Sequence, residues 1–220
     1  MFTYPEMTTE SIEGMRLYIT PAGPLPSITT ILGGTETAEK TKALTNWANA
    51  IGQVNAKRIT QNAADRGTAV HTMIERHLKG EVVFSPGEFD QAHVNSYNAL
   101  KLKLKSIDEV WCQEEALYSD QLGIAGRVDC IGIYKGVESI IDFKTSTRIK
   151  SQKDIEDYRI QLACYKLCHD EMFGTNIKMG IILMTSAEGF PQEFKITIDD
   201  GLIQIAQARI AQFYRKFLTQ

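Results

Sequence analysis

No stretch of this sequence is apolar for long enough to cross a membrane. The longest runs, such as GIILM from Gly180 to Met184, are far shorter than the roughly 20 residues a spanning helix needs. The first residues lack the basic-then-apolar order of a secretory leader. A soluble protein in the cytoplasm or another intracellular compartment is expected, with no membrane partner. Cysteine is scarce: Cys112, Cys130, Cys164 and Cys168 show no zinc-type paired spacing, so reduced core thiols are expected. Charge of neither sign dominates, and a net charge of -3 excludes a globally basic nucleic-acid coat protein while permitting a local basic path. Internal repeats, linkers and low-complexity tracts are missing too, and so are a P-loop and the H-E-x-x-H pattern of zinc proteases.

What is present suffices for one domain: 220 residues, 43% of them hydrophobic. Residues 1–35, rich in Pro, Gly and Thr, read as an arm of short extended pieces and turns. Residues 36–106 have helical spacing, with Ala63, Gly67, Val70, Ile74 and Leu78 three or four apart. Residues 107–220 read as an α/β core. Three strands come first, with turn signals at residues 120–123 and at Lys135-Gly136, then a helix with Asp154 as N-cap and Gly174 as C-cap. Two further strands follow, and an amphipathic helix through Ile205, Ile210, Phe213 and Phe217 ends the chain. The simplest packing is a central mixed β-sheet flanked by helices behind a helical N-terminal half.

The stretch IIDFKTSTRIK, from Ile140 to Lys150, carries the chemistry. Alternation along a strand puts Asp142 and Lys144 on one face and Ile141 and Phe143 on the other. The preceding strand offers Arg127, Asp129 and Ile131, and a meander can bring Asp129 beside Asp142. Two carboxylates that close repel, so both stay ionised only beside a cation. Hard oxygen donors suit Mg2+ or Mn2+, with the Phe143 carbonyl as a third ligand and Lys144 orienting a water or offsetting charge on a phosphate. Alone, the D-x-K tripeptide fits a structural ion pair better. Three features add weight: His71 and Glu75 one helical turn apart, Gln161 as the one amide in a stripe with Tyr158, Tyr165 and Cys168, and a basic run of Lys144, Arg148, Lys150 and Lys153 interleaved with hydroxyl residues such as Thr145.

Taken in order, RGTAVH, GIAGRVDCIG, IIDFKTS and QLACYK resemble the PD-(D/E)XK nuclease superfamily in its RecB-type exonuclease branch. LPSITTIL and Trp47 add a likeness to that branch's mitochondrial genome maintenance and phage-type members, which leaves a phage origin open. The resemblance implies a restriction-endonuclease-like core and a metal-dependent deoxyribonuclease acting on single-stranded DNA ends in replication, recombination or repair. It assigns His71, Asp129 and Asp142 to the metal and Lys144 to catalysis, and matches Gln161 and Tyr165 to a Q-x-x-x-Y motif. Glu75 and Glu115 match acids of uncertain role. Iron-sulfur members place cysteines near both ends of the domain, and none precedes Cys112 or follows Cys168 here, so no cluster is expected. Without a P-loop, unwinding would require a helicase, and a recombinase or single-strand-binding protein is a further expected partner. The rival readings are an endonuclease of the same superfamily, of repair or CRISPR-adaptation type, a non-catalytic DNA-binding module, and a structural protein whose Asp-Lys pair is an ion pair.

Overall fold

The computed structural model describes residues 2–218. The chain opens with a three-stranded antiparallel sheet, β1 (Thr9–Ile12), β2 (Met15–Thr20) and β3 (Gly23–Pro26), in that spatial order. Glu13 and Gly14, with φ of 51° and 79°, turn β1 into β2. Positive φ at both central residues of a two-residue loop is the turn whose twist suits a hairpin. The expected arm is therefore a folded sheet with a buried side. Tyr18 is 2% exposed and packs with Met7, Ala116 and Ala125. Ser27 then bridges in parallel to Ala125 of the main sheet and caps α1 (Ile28–Gly34) by accepting from the Thr30 amide.

The helical front half follows as α2 (Ala38–Ile51), α3 (Gln53–Leu78) and α4 (Gln91–Leu104). Gly52, at φ 83°, separates α2 from α3. No residue of α2 is buried, and Trp47 is 39% exposed. In α3 the apolar stripe is buried where Val70, Met73 and Ile74 meet α4 and the main sheet, whereas Ala63 and Gly67 stay partly exposed.

The main sheet contains β4 (Ile107–Ser119), β5 (Ile124–Tyr134), β6 (Val137–Ser146), β7 (Met179–Ser186) and β8 (Pro191–Thr197), hydrogen-bonded in sequence order. All neighbours are antiparallel except β6 and β7, which are parallel, so the sheet is mixed. The parallel pair requires a crossover. This is made by α5 (Glu156–Phe173), which packs on one face with α1 and α6 (Asp200–Leu218), while α3 and α4 cover the other. Strand β6 is accordingly buried from Ser139 to Phe143 without alternation.

Two local expectations change. Asp154 is not the N-cap of α5. It lies in a 3-10 turn (Gln152–Ile155), where its carboxylate accepts from the amide and hydroxyl of Ser151, completing a capping box. Gly174 does cap the C-terminus, at φ 68°. On α6 the buried face is Leu202, Ala206, Ile210 and Phe213, whereas Ile205 is exposed, and the side chain of Phe217 lies outside the described residues. All four cysteines are buried free thiols. No helix among the described residues is long and apolar enough to cross a membrane.

Candidate active site

The site forms where β5 and β6 part. Their antiparallel pairing ends at Cys130 opposite Ile141, one residue short of Asp129 and Asp142, while β6 continues beside β7 as far as Ser146 opposite Ser186. At the fork the Phe143 amide donates to Asp129 Oδ2 at 2.7 Å instead of to a strand carbonyl. That bond fixes the Asp129 carboxylate and leaves Oδ1 toward the opening. Ile141 and Phe143 join the cluster under α3 and α4, as alternation requires. Lys144 Nζ lies 5.2 Å from the Tyr158 ring on α5, so the polar pair faces the other helical layer.

His71 enters from α3. Its Nε2 is 2.8 Å from the Phe143 carbonyl oxygen, and its Nδ1 is 3.7 Å from Asp129 Oδ1 and 3.6 Å from Glu114 Oε1. The ligand atoms of His71, Glu114 and Asp129 all lie within 4.8 Å of one another, close enough for one metal ion to be held by the three. Burial disfavours the charged imidazole, but the carboxylates of Asp129 and Glu114 outweigh it and raise its pKa to about 9.

Asp142 is 1% exposed. Lys144 Nζ stands 2.6 Å from each of its oxygens, but only Oδ1 accepts along hydrogen-bond geometry. The buried Oδ2 receives no hydrogen bond among the described residues. Burial, aided by Asp129, pushes the Asp142 carboxyl upward against the pull of Lys144, and the paired acids Asp142 and Asp129 hold Lys144 in its charged form despite its own burial. The Lys144 ammonium balances the charge of Oδ2, which still has a lone pair that no donor occupies. Hard oxygens, one imidazole and one orphaned carboxylate oxygen together fit a divalent ion.

The glutamate of this group is Glu114, next to the Glu115 that the resemblance matches to an acid without a defined role. Glu114 has φ of 52°, exceptional for a non-glycine residue in a strand, and this turns its carboxylate toward His71. Burial raises the pKa of Tyr4 and Cys112, and the charge of Glu115 adds a smaller push in the same direction. Asp142 lies outside the tight group of three, although its charge acts on the same cluster. Glu75 lines the opening beside His71 and Glu114 and is itself paired with Lys79 at 2.6 Å. Thr145 Oγ1 faces Gly67 of α3, 3.9 Å from where a Cβ would stand.

On the α5 side, Gln161 is 8% exposed and donates to the Tyr165 hydroxyl at 3.0 Å, which donates in turn to the Arg127 carbonyl at 2.7 Å. This relay ties the helix to β5 two residues before Asp129. Gly126 makes room for it, because a Cβ there would stand 2.9 Å from Tyr165 Cε1 and 3.0 Å from Ile28 Cδ1. Of the basic run, Arg148 is drawn to Asp154 at 2.5 Å. Lys150 and Lys153 line a separate hollow with Lys40 and Arg209, among four acids.

Comparison with known proteins adds to this geometry. Mitochondrial genome maintenance exonuclease 1 of Homo sapiens is 24% identical to the chain over 174 residues, which is 76% of this chain and 51% of that protein. The chain is similar to mitochondrial genome maintenance exonuclease 1. The Xenopus tropicalis form of that exonuclease gives 26% over 176 residues, or 77% of this chain and 50% of its own. The chain therefore spans about half the length of the curated relatives it matches. The likeness to mitochondrial genome maintenance exonuclease 1 is consistent with the PD-(D/E)XK resemblance of the motifs. No family model matches. Among solved structures, an alkaline exonuclease from Laribacter hongkongensis aligns over 88% of this chain and 87% of its own at 12% identity, with a TM-score of 0.42.

Proposed function

We propose that the protein is a metal-dependent DNA exonuclease that hydrolyses phosphodiester bonds from single-stranded ends, and that residues 1–220 act as one nuclease domain. The observation that carries this reading is the convergence of His71, Glu114 and Asp129 within 4.8 Å, beside a buried Asp142 oxygen that has no hydrogen bond. The similarity to mitochondrial genome maintenance exonuclease 1 supports the choice of DNA and of exonucleolytic action.

In this reading His71, Glu114, Asp129 and Asp142 hold Mg2+ or Mn2+, with the Phe143 carbonyl at hand. When bound, the ion polarises the scissile phosphate and lowers the pKa of an attacking water. The chain's own residues do the rest. Asp129 is oriented by the Phe143 amide and does not need to reorganise. Lys144, fixed by Asp142, places a positive charge beside the oxygens on which negative charge develops and can donate a proton to one of them. The Gln161–Tyr165 relay keeps β5 in position. DNA is the expected partner, with a helicase, recombinase or single-strand-binding protein supplying what the domain lacks.

Linear and circular single-stranded DNA test this reading, each incubated with Mg2+ and with EDTA. Loss of the linear substrate alone, and only with the metal, is expected. Degradation of the circle would make the protein an endonuclease, and survival of both substrates would leave only a binding module.

A further inference from the structure

We propose that Arg16 of the N-terminal sheet and Arg127 of β5 form a second phosphate subsite, which grips a backbone phosphodiester next to the one hydrolysed. This rests on the nuclease reading above. Both arginines line a cleft of about 340 Å³ together with Thr29, Gln161 and two members of the metal group, Glu114 and Asp129. A nucleic-acid strand whose scissile phosphate sits at the metal group therefore extends directly into a wall of two arginines.

Each arginine is held by its backbone at the place the cleft requires. The Arg16 carbonyl accepts from the Ser27 amide at 2.9 Å and from the Thr30 hydroxyl at 3.3 Å, which pins β2 to the start of α1. The Arg127 carbonyl accepts from Tyr165. The Arg16 side chain donates from Nη2 to Thr29 Oγ1 at 2.9 Å and lies 5.8 Å from the Tyr18 ring, so its fork is oriented before any ligand arrives. Neither guanidinium has a carboxylate within ion-pair distance among the described residues, whereas Arg76, Arg148 and Arg209 are each paired. The acids that line the same cleft, Glu114 and Asp129, are those the nuclease reading gives to the metal. Once they hold a cation, the two arginines face the cleft as uncompensated positive charge, and a phosphate oxyanion, bound by two N–H groups of a fork, is the anion of matching shape.

A terminal phosphomonoester offers the same oxygens, and the test separates it from an internal diester. Binding of labelled oligothymidylate is measured by anisotropy over a range of monovalent salt with Ca2+ at a fixed saturating concentration in place of Mg2+, a hard ion that carboxylate oxygens hold, with Arg16→Gln, Arg127→Gln and Arg16→Lys beside the wild type. Each glutamine variant is expected to bind severalfold more weakly and to lower the slope of log K against log salt by about 0.7, one single-strand phosphate contact. Arg16→Lys keeps the slope and loses part of the affinity, and thermal midpoints stay unchanged. A neutral methylphosphonate placed at one linkage at a time weakens wild-type binding at an interior linkage and has no effect there on Arg16→Gln. Unchanged affinity and slope in both glutamine variants would overturn the subsite. A loss in the variants that disappears when the oligonucleotide lacks its end phosphate would replace it with end recognition. If the wild type neither binds nor hydrolyses DNA, the nuclease reading itself fails, which the variants alone could not show.

Discussion

His71 on α3 and Phe143 on β6 meet through a contact of 2.8 Å between Nε2 and the backbone carbonyl oxygen, which joins the helical half of the chain to the sheet at the site. The opposite nitrogen faces Asp129 and Glu114, whose charge raises the imidazole pKa from 6.5 to about 9 against the effect of burial. A group whose folded pKa is raised stabilises the fold fully below its unfolded value and loses that contribution as pH rises through the folded one. In EDTA the melting temperature should therefore fall between about pH 6.5 and pH 9. His71→Asn should flatten that fall, and thermal melts in parallel buffers measure both.

Glu114 and Glu115 are adjacent, yet only Glu114 stands in the group with His71 and Asp129. Glu114→Gln should weaken Mn2+ binding by more than the roughly 10–100-fold lost when an outer-shell partner is removed. Glu115→Gln should leave it nearly unchanged. Calorimetric titration of both variants with Mn2+ distinguishes them, and equal losses would argue against the geometry at Glu114.

Lys144→Met removes the partner of a buried carboxylate. Breaking one side of such a pair costs about 3–5 kcal/mol, because the remaining charge is left uncompensated. Urea unfolding in EDTA should show a loss of that order, and the double change Asp142→Leu with Lys144→Met should recover most of it. Saturating Mn2+ should restore more stability to Lys144→Met than it adds to the wild type, because the ion supplies the missing positive charge.

Gly126→Ala places a methyl group where Tyr165 and Ile28 already approach to about 3 Å. Overpacking of this kind costs about 1–3 kcal/mol. It should also displace the Tyr165 bond to the Arg127 carbonyl, so DNA hydrolysis should decline along with stability. Urea midpoints and single-turnover rates report the two effects separately.

The parts of this arrangement legible in the sequence are those that obey strand alternation and helical period. Asp142 and Lys144 on one face of β6, Asp129 brought beside them by the meander, and Gln161 four residues before Tyr165 all follow from the spacing of residues. Glu114 does not. Its positive φ is an irregularity that no glycine marks, and the one acid of this strand singled out in the sequence, Glu115, comes from the resemblance and not from the spacing. The N-terminal sheet was hidden in a similar way. Its first turn uses Glu13 where Asn or Asp would signal a hairpin, although the Lys135-Gly136 turn of the same geometry was legible between two strongly apolar strands. Tertiary pairing also redirects charge: Arg148, which the basic run offers to a phosphate, is drawn to Asp154, whereas Arg16, outside any charged run, reaches the cleft through a fold the sequence pattern does not announce.

The most direct measurement of the central claim is the release of label from end-labelled single-stranded DNA by the wild type, Asp129→Asn and Asp142→Asn at matched, folded concentrations in Mg2+ or Mn2+. The account predicts release by the wild type that EDTA abolishes and a loss of at least about a hundredfold in either variant, comparable to removing one well-placed stabilising group from a transition state. Release at the wild-type rate by both variants, or release that survives EDTA, would contradict it.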